Sequence, residues 1–199
     1  MDIISSSPYS KHGHNQIKIC VSGSADLGPF GLKASEIGKE LGREIARQGA
    51  VLVTGATTGF AFWAAMGAKE EGGISIGLSP AASEKEHMEV YKLPVDYMDL
   101  IIYTGFGYAG RDLFLTRSAD AVMFGPGRIG TIHEFTIAFE DYKPLGILKG
   151  PWETNVELEE IAQKSHRPND KIITGDDPKK LVAEVIAMVR KYKTSNNLK

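Results

Sequence analysis

The chain has 199 residues, 42% of them hydrophobic and 24% charged, with a formal net charge of -2. That size and balance fit one globular domain with a substantial core, and the charge offers no basic field to a nucleic-acid polymer. No apolar run approaches the length of a membrane span, and Met1–Ser10 lacks a hydrophobic signal core, so a cytoplasmic protein without a membrane partner is expected.

Residues 1–15 are polar and aperiodic, the pattern of a loose tail, and His12 and His14 within it lack a third ligand for a metal. Ile17–Ser22 reads as the first strand and holds the single cysteine, Cys20, as a small core residue. It runs into Gly23, Ser24 and Ala25, which serve either as a plain turn or as a ligand-contacting loop. Ile37, Leu41 and Ile45 mark the inner face of the first helix, and Gly49 closes it. Val51–Thr54 is a second strand, followed by the turn Gly55–Gly59. The next helix, Phe60–Lys69, is apolar nearly all round and must be covered on every side, by the core or by another subunit. A homodimer is the expected outcome.

Ile74–Leu78 reads as a third strand. Ala81–Tyr97 is mixed and charged without a period, a surface excursion in which His87 is expected to be solvated. Leu100–Tyr103 is a strand, and Gly105–Gly110 leads into a helix through Arg117. Ala119–Phe124 is a buried strand and Ile132, Phe135, Phe139 and Tyr142 recur at helical spacing after it. Leu145–Leu148 follows as a strand. Thr154 and Glu157 have capping-box spacing for a helix to Lys164, Lys171–Thr174 is a last strand, and Asp177-Pro178 opens the last helix. Leu181, Val185, Val189 and Tyr192 line that helix, and 194–199 is expected to fray. Strands alternating with helices predict a single Rossmann-like α/β domain over 16–193, a doubly wound parallel sheet flanked by helices.

Ligands in such folds bind beyond the carboxyl ends of the strands, where strand order switches. Between the strand ending at Phe124 and its helix lie three glycines and a proline, in Phe124 through Glu134 (FGPGRIGTIHE). A strand turning tightly into a helix leaves unpaired N–H groups at a positive dipole end, which suits a phosphate. Gly127, Arg128, Ile129, Gly130 and Thr131 are the candidate phosphate contacts, and Glu134 falls in the first turn beyond them. Arg128 either contacts the phosphate or points to solvent. Arg111, a cation at the start of its helix, opposes the helix dipole and stands out as a candidate over Arg117. Gly125–Gly130 also matches G-x-G-x-x-G, but it comes late in the chain, and the next strand ends in Lys149 where a ribose-binding acid belongs. That argues against NAD. His133 should point away from the site and is read as structural.

Pro126 through Glu134 (PGRIGTIHE) resembles the PGGxGTxxE motif of the Lonely Guy (LOG) family, often labelled possible lysine decarboxylases. The likeness runs from about Ile17 to Leu148. Arg128 replaces the second glycine of the GG pair, the MHxRK motif is present as Tyr108 through Asp112 (YAGRD), and Ala56 and Thr57 replace two glycines of GGGxxG. The resemblance implies a nucleoside 5′-monophosphate phosphoribohydrolase, releasing free base and ribose 5-phosphate. Glu134 would supply a carboxylate near C1′, Arg111 a second catalytic contact, and Gly23, Ser24, Gly55, Thr57 and Thr58 the substrate-binding loops. No cofactor and no metal are implied. The alternative is a non-catalytic nucleotide-binding or sensing protein of the same fold.

Overall fold

The structure, a computed structural model, describes residues 16–28 and 31–196. The expected tail, with His12 and His14, lies outside the described residues. In chain order the elements are β1 (Lys18–Ser22), α1 (Gly31–Arg47), β2 (Val51–Thr54), α2 (Phe60–Glu70), β3 (Ser75–Ser79), α3 (Glu84–Glu89) and β4 (Leu100–Tyr103). There follow α4 (Gly107–Ser118), β5 (Ala121–Phe124), α5 (Ile129–Glu140), β6 (Leu145–Leu148), α6 (Thr154–Lys164), β7 (Ile172–Gly175) and α7 (Pro178–Asn196). Asp177 caps α7 through its carboxylate, which accepts from the Lys179 N–H at 2.9 Å. The helix runs on through Asn196.

The seven strands form one parallel sheet in the order β4-β3-β2-β1-β5-β6-β7. Successive strands step outward in one direction from β1 to β4 and in the other from β5 to β7. Right-handed crossovers therefore place α1 and α2 on one face and α5 and α6 on the other. The two faces have separate cores. Ile19, Val21, Leu52 and Met123 pack with α1, α2 and α7, whereas Cys20, Val53, Val122 and Phe124 pack with α4, α5 and α6. Cys20 is wholly buried, as its place in an apolar strand implied, and burial raises its thiol pKa.

The apolar helix α2 is covered largely by its own chain. A Cβ on Gly42 would lie 1.8 Å from the Ala64 carbonyl oxygen, and one on Gly67 would lie 1.9 Å from the Lys39 carbonyl oxygen. The two helices meet backbone to backbone at these points, a contact only glycine permits. Lys39 and Arg43 of α1 then pair with Glu70 at 2.5 and 2.7 Å across the rim. Exposed apolar side chains occur at the open edge of the sheet, where Leu100 and Ile102 of β4 are about half exposed, and at α4, where Phe106 and Phe114 stack with ring centres 5.1 Å apart.

Two sequence expectations are corrected here. His87 is fully buried rather than solvated. The excursion contains the short helix α3, capped by Ser83, which turns the imidazole inward. There Nδ1 pairs with Ser79 Oγ at 2.8 Å and Nε2 with the Pro94 carbonyl at 3.0 Å. The capping box at Thr154 is not formed. Thr154 is already the first helical residue, after Glu153 as N-cap, and its hydroxyl is engaged by Gly127 instead.

Candidate functional site

The order of the sheet switches between β1 and β5, so the loops leaving these two strands bound a crevice at their carboxyl ends. Backbone hydrogen bonds tie the loops together. The Ser24 N–H donates to the Pro126 carbonyl at 2.7 Å, the Gly125 N–H to the Ser22 carbonyl at 3.0 Å, and the Phe60 N–H to the Ser24 carbonyl at 2.9 Å. Phe60, fully buried, lies beneath both loops. A Cβ on Gly125 would meet its ring at 2.3 Å and one on Gly23 would meet its Cβ at 2.7 Å.

A cavity of about 270 Å³ opens in this crevice. Of the residues expected at the site, Gly23, Ser24, Gly55, Thr57, Arg111, Arg128, Gly130, Thr131 and Glu134 line it. Three others do not. Thr58 turns its hydroxyl to the Ala25 carbonyl at 3.0 Å, and Ile129 projects outward at 80% exposure. Gly127 faces a neighbouring cavity of about 380 Å³, and Thr154 occupies both its backbone N–H (2.8 Å) and its carbonyl (2.9 Å). Gly127 is thereby removed from the set of phosphate donors.

The first helical bond of α5 runs from the Ile132 N–H to the Arg128 carbonyl. The N–H groups of Ile129, Gly130 and Thr131 precede it and have no carbonyl within the helix. They gather at the positive end of the α5 dipole, which favours an anion. Arg128 is the N-cap, with φ -135 and ψ -160, ordinary extended backbone. The glycine of the PGG motif is thus not needed here for conformation. The Arg128 side chain pairs with Asp26 at 2.8 Å, both groups about two-thirds exposed, and bridges the loops of β1 and β5. In the β2 loop, Ala56 holds φ 50, so that position keeps a left-handed turn although it carries a side chain.

Beneath the start of α5 is a buried cluster of titratable groups. Glu134 accepts a short hydrogen bond from Ser22 Oγ, at the end of β1, and lines the same cavity as Asp112. Asp112 in turn accepts from Arg111 Nε at 3.1 Å and pairs with His133 Nδ1 at 2.9 Å. Arg111 also donates through Nη1 to the carbonyls of Gly55 and, at 3.1 Å, of Leu78. Arg111, Asp112 and Glu134 are all buried. Burial pushes the Glu134 carboxyl up to about 8, against the opposing pull of Arg111 and with the help of Asp112. Glu134 thus holds its proton more readily than a solvent-exposed carboxyl does. Its pKa is raised above the unfolded value near 4.3, so its stabilising contribution is complete at acid pH. That contribution is lost as pH rises toward about 8.

Ser22, Asp26 and Asp112 belong to the site but were not singled out from the sequence, and His133 proves to be tied into the same cluster. Arg111 was expected at the reacting centre. Its Nη1 group ties the β2 loop and β3 to α4 while its Nε bonds to Asp112 on α4 itself, so much of its hydrogen bonding is structural.

Comparison with known proteins sets this geometry in context. Residues 16–182 match the model of the SLOG cluster4 family. An uncharacterized protein of Archaeoglobus fulgidus is 30% identical over 135 residues, 68% of this chain and 83% of that protein. The molybdenum cofactor binding protein of Rippkaea orientalis has the same fold, at a TM-score of 0.74 and 24% identity, covering 88% of this chain and 99% of that one. The molybdenum cofactor carrier protein of Chlamydomonas reinhardtii superposes at 0.69 with 26% identity, covering 88% and 99%. These likenesses support the wider relationship expected from the motif, without assigning the chain to the LOG hydrolases themselves. The chain is a Rossmann-like protein that belongs to the SLOG cluster4 family.

Proposed function

We propose that the chain binds a small heterocyclic ligand through a terminal phosphate, a nucleoside 5′-monophosphate being the simplest member of that class. The supporting observation is the group of N–H donors of Ile129, Gly130 and Thr131 above the crevice at the β1/β5 switch. The likeness to a molybdenum cofactor carrier protein fits a role in holding a ligand rather than consuming it.

N-glycosidic hydrolysis to ribose 5-phosphate is the second reading. It is favoured by the way Glu134 and Arg111 line the cavity beside Gly130 and Thr131. Cleavage develops positive charge on the sugar, and an ionised Glu134 would stabilise it. With the carboxyl protonated up to about pH 8, that state is scarce at neutral pH. Incubation with a panel of monophosphates, nucleosides and triphosphates from pH 6 to 9, followed by chromatography, separates the two. Monophosphates should bind at pH 7 with little base released. Any cleavage should rise with pH toward about 8 and fall roughly 100-fold in Glu134→Gln. Cleavage that is faster at pH 6 than at pH 8, or untouched by Glu134→Gln, removes this carboxylate from the reaction.

Arg128 exchanges Asp26 for the incoming phosphate in this proposal. Giving up one exposed ion pair for a charge-assisted bond leaves a net gain of about 1–2 kcal/mol, roughly 5- to 30-fold. In calorimetric titration, Arg128→Ala should lose that factor for a monophosphate and little for the matching nucleoside. Equal affinities would mean that the side chain plays no part.

We further propose a homodimer, placed at the β4 edge and α4 rather than on α2, because Leu100, Ile102, Phe106 and Phe114 are exposed apolar side chains on those elements. Sedimentation at micromolar concentration should give twice the monomer mass, and Phe106→Glu should halve it. A monomeric wild type contradicts the proposal.

A further inference from the structure

Away from the crevice, a separate cavity of about 330 Å³ is bordered by α6 and the edge strand β7, and it shares no lining residue with the first. Its origin lies in the sequence. Glu159, Ala162 and Gln163 fall at i, i+3 and i+4 on α6, one face of that helix, and Ile172 and Thr174 fall on one face of β7. The helix face bordering the cavity therefore carries one small and two polar residues, where a large apolar side chain would fill the gap. Phe139 of α5, Ala162 and Ile172 give the cavity an apolar wall continuous with the core. An apolar wall with a few convergent polar groups is the usual form of a small-molecule site, and such sites begin at about 300 Å³.

Two polar atoms on the residues of this cavity are unpaired. Asn169 accepts from the Lys171 N–H through Oδ1 at 2.9 Å, which fixes the orientation of its amide. Its Nδ2 group is buried and has no hydrogen-bond partner among the described residues. Glu159 Oε1 is buried too. Lys149 Nζ stands 3.4 Å from it as an ion pair, but the oxygen makes no hydrogen bond. Buried donors and acceptors are nearly always satisfied in folded proteins, so an orphan of each kind on one cavity needs a physical reason. A ligand carrying both an acceptor and a donor supplies it. Lys149 with Glu159, and Arg167 with Glu140 at 2.5 Å, form balanced ion pairs, so the lining favours a ligand that is neutral overall.

We propose that this cavity binds an aliphatic α-amino acid in its zwitterionic form. The carboxylate accepts from Asn169 Nδ2 and Lys149, the ammonium donates to Glu159 Oε1, and the side chain lies against Phe139 and Ile172. A simple carboxylate would leave Glu159 Oε1 unpaired, and a simple amine would leave Asn169 Nδ2 unpaired. A site built to bond a polar group rejects the analogue that lacks it, because its own buried atom then stays unsatisfied. The site is independent of the phosphate-binding crevice and of the function proposed for it.

The test is an NMR titration of 15N-labelled protein with L-leucine, 4-methylpentanoate and 3-methylbutylamine. The two analogues keep the aliphatic chain and lack the ammonium or the carboxylate in turn. Leucine should give saturable amide shifts at Gln163, Asn169 and Thr174, and each analogue should bind roughly 10-fold more weakly or worse. Asn169→Asp, which keeps the acceptor for the Lys171 N–H, and Glu159→Gln should each weaken leucine by about 10-fold or more. The amide spectrum itself reports whether a variant is folded, and if one is not, the three-ligand comparison on the wild type decides. Leucine shifts that do not saturate or that cluster on another surface would overturn the inference and leave the two atoms to water. Equal binding of leucine and both analogues, or undiminished affinity in either folded variant, would overturn it as well.

Discussion

The ring of Phe60 fills the space beneath the two loops that bound the crevice, and it fits because neither loop carries a side chain where they touch. Gly23 and Gly125 lie against it from above, and a Cβ on Gly38 of α1 would come within 3.1 Å of it from the side. The ring sets the height of the β1 and β5 loops above the sheet, and their mutual hydrogen bonds set the spacing. The start of α5, and with it the N–H donors of Ile129, Gly130 and Thr131, inherits its position from that packing. Tight burial of this kind tolerates few changes of volume, so the start of α5 is held by a core contact rather than by its own loop.

A second constraint acts below the loops. A carboxyl taken out of water must find hydrogen-bond partners or give up its charge. Glu134 accepts a hydrogen bond from Ser22, and burial raises its pKa. Arg111 moderates the cost but is largely committed to the Gly55 and Leu78 carbonyls and to Asp112. Burial therefore disfavours the ionised carboxylate beside the start of α5.

Much of this was legible in the sequence. Alternating apolar strands and amphipathic helices fixed the α/β class, and strand boundaries moved by only about a residue, as at β3 and β7. The glycine-rich turn before α5 was recognisable because strand, turn and helix occur in order. Other features depend on contacts that one sequence does not display. His87 lies in a six-residue helix too short to show a period, and its partners Ser79 and Pro94 flank it at a distance. Thr154 has the spacing of a cap, yet a tertiary contact with Gly127 takes its hydroxyl. Asp112 and Glu134 are on different helices, and their meeting follows from α4 and α5 sharing a face of the sheet.

The claim on which the rest turns is that an anion binds at the N-terminus of α5. Titration of ribose 5-phosphate into 15N-labelled protein, followed by amide chemical shifts, tests it most directly. The account predicts saturable shifts concentrated at Ile129, Gly130 and Thr131, with unphosphorylated ribose producing none there. Saturable shifts clustered on another surface, with these three amides unmoved, would contradict it.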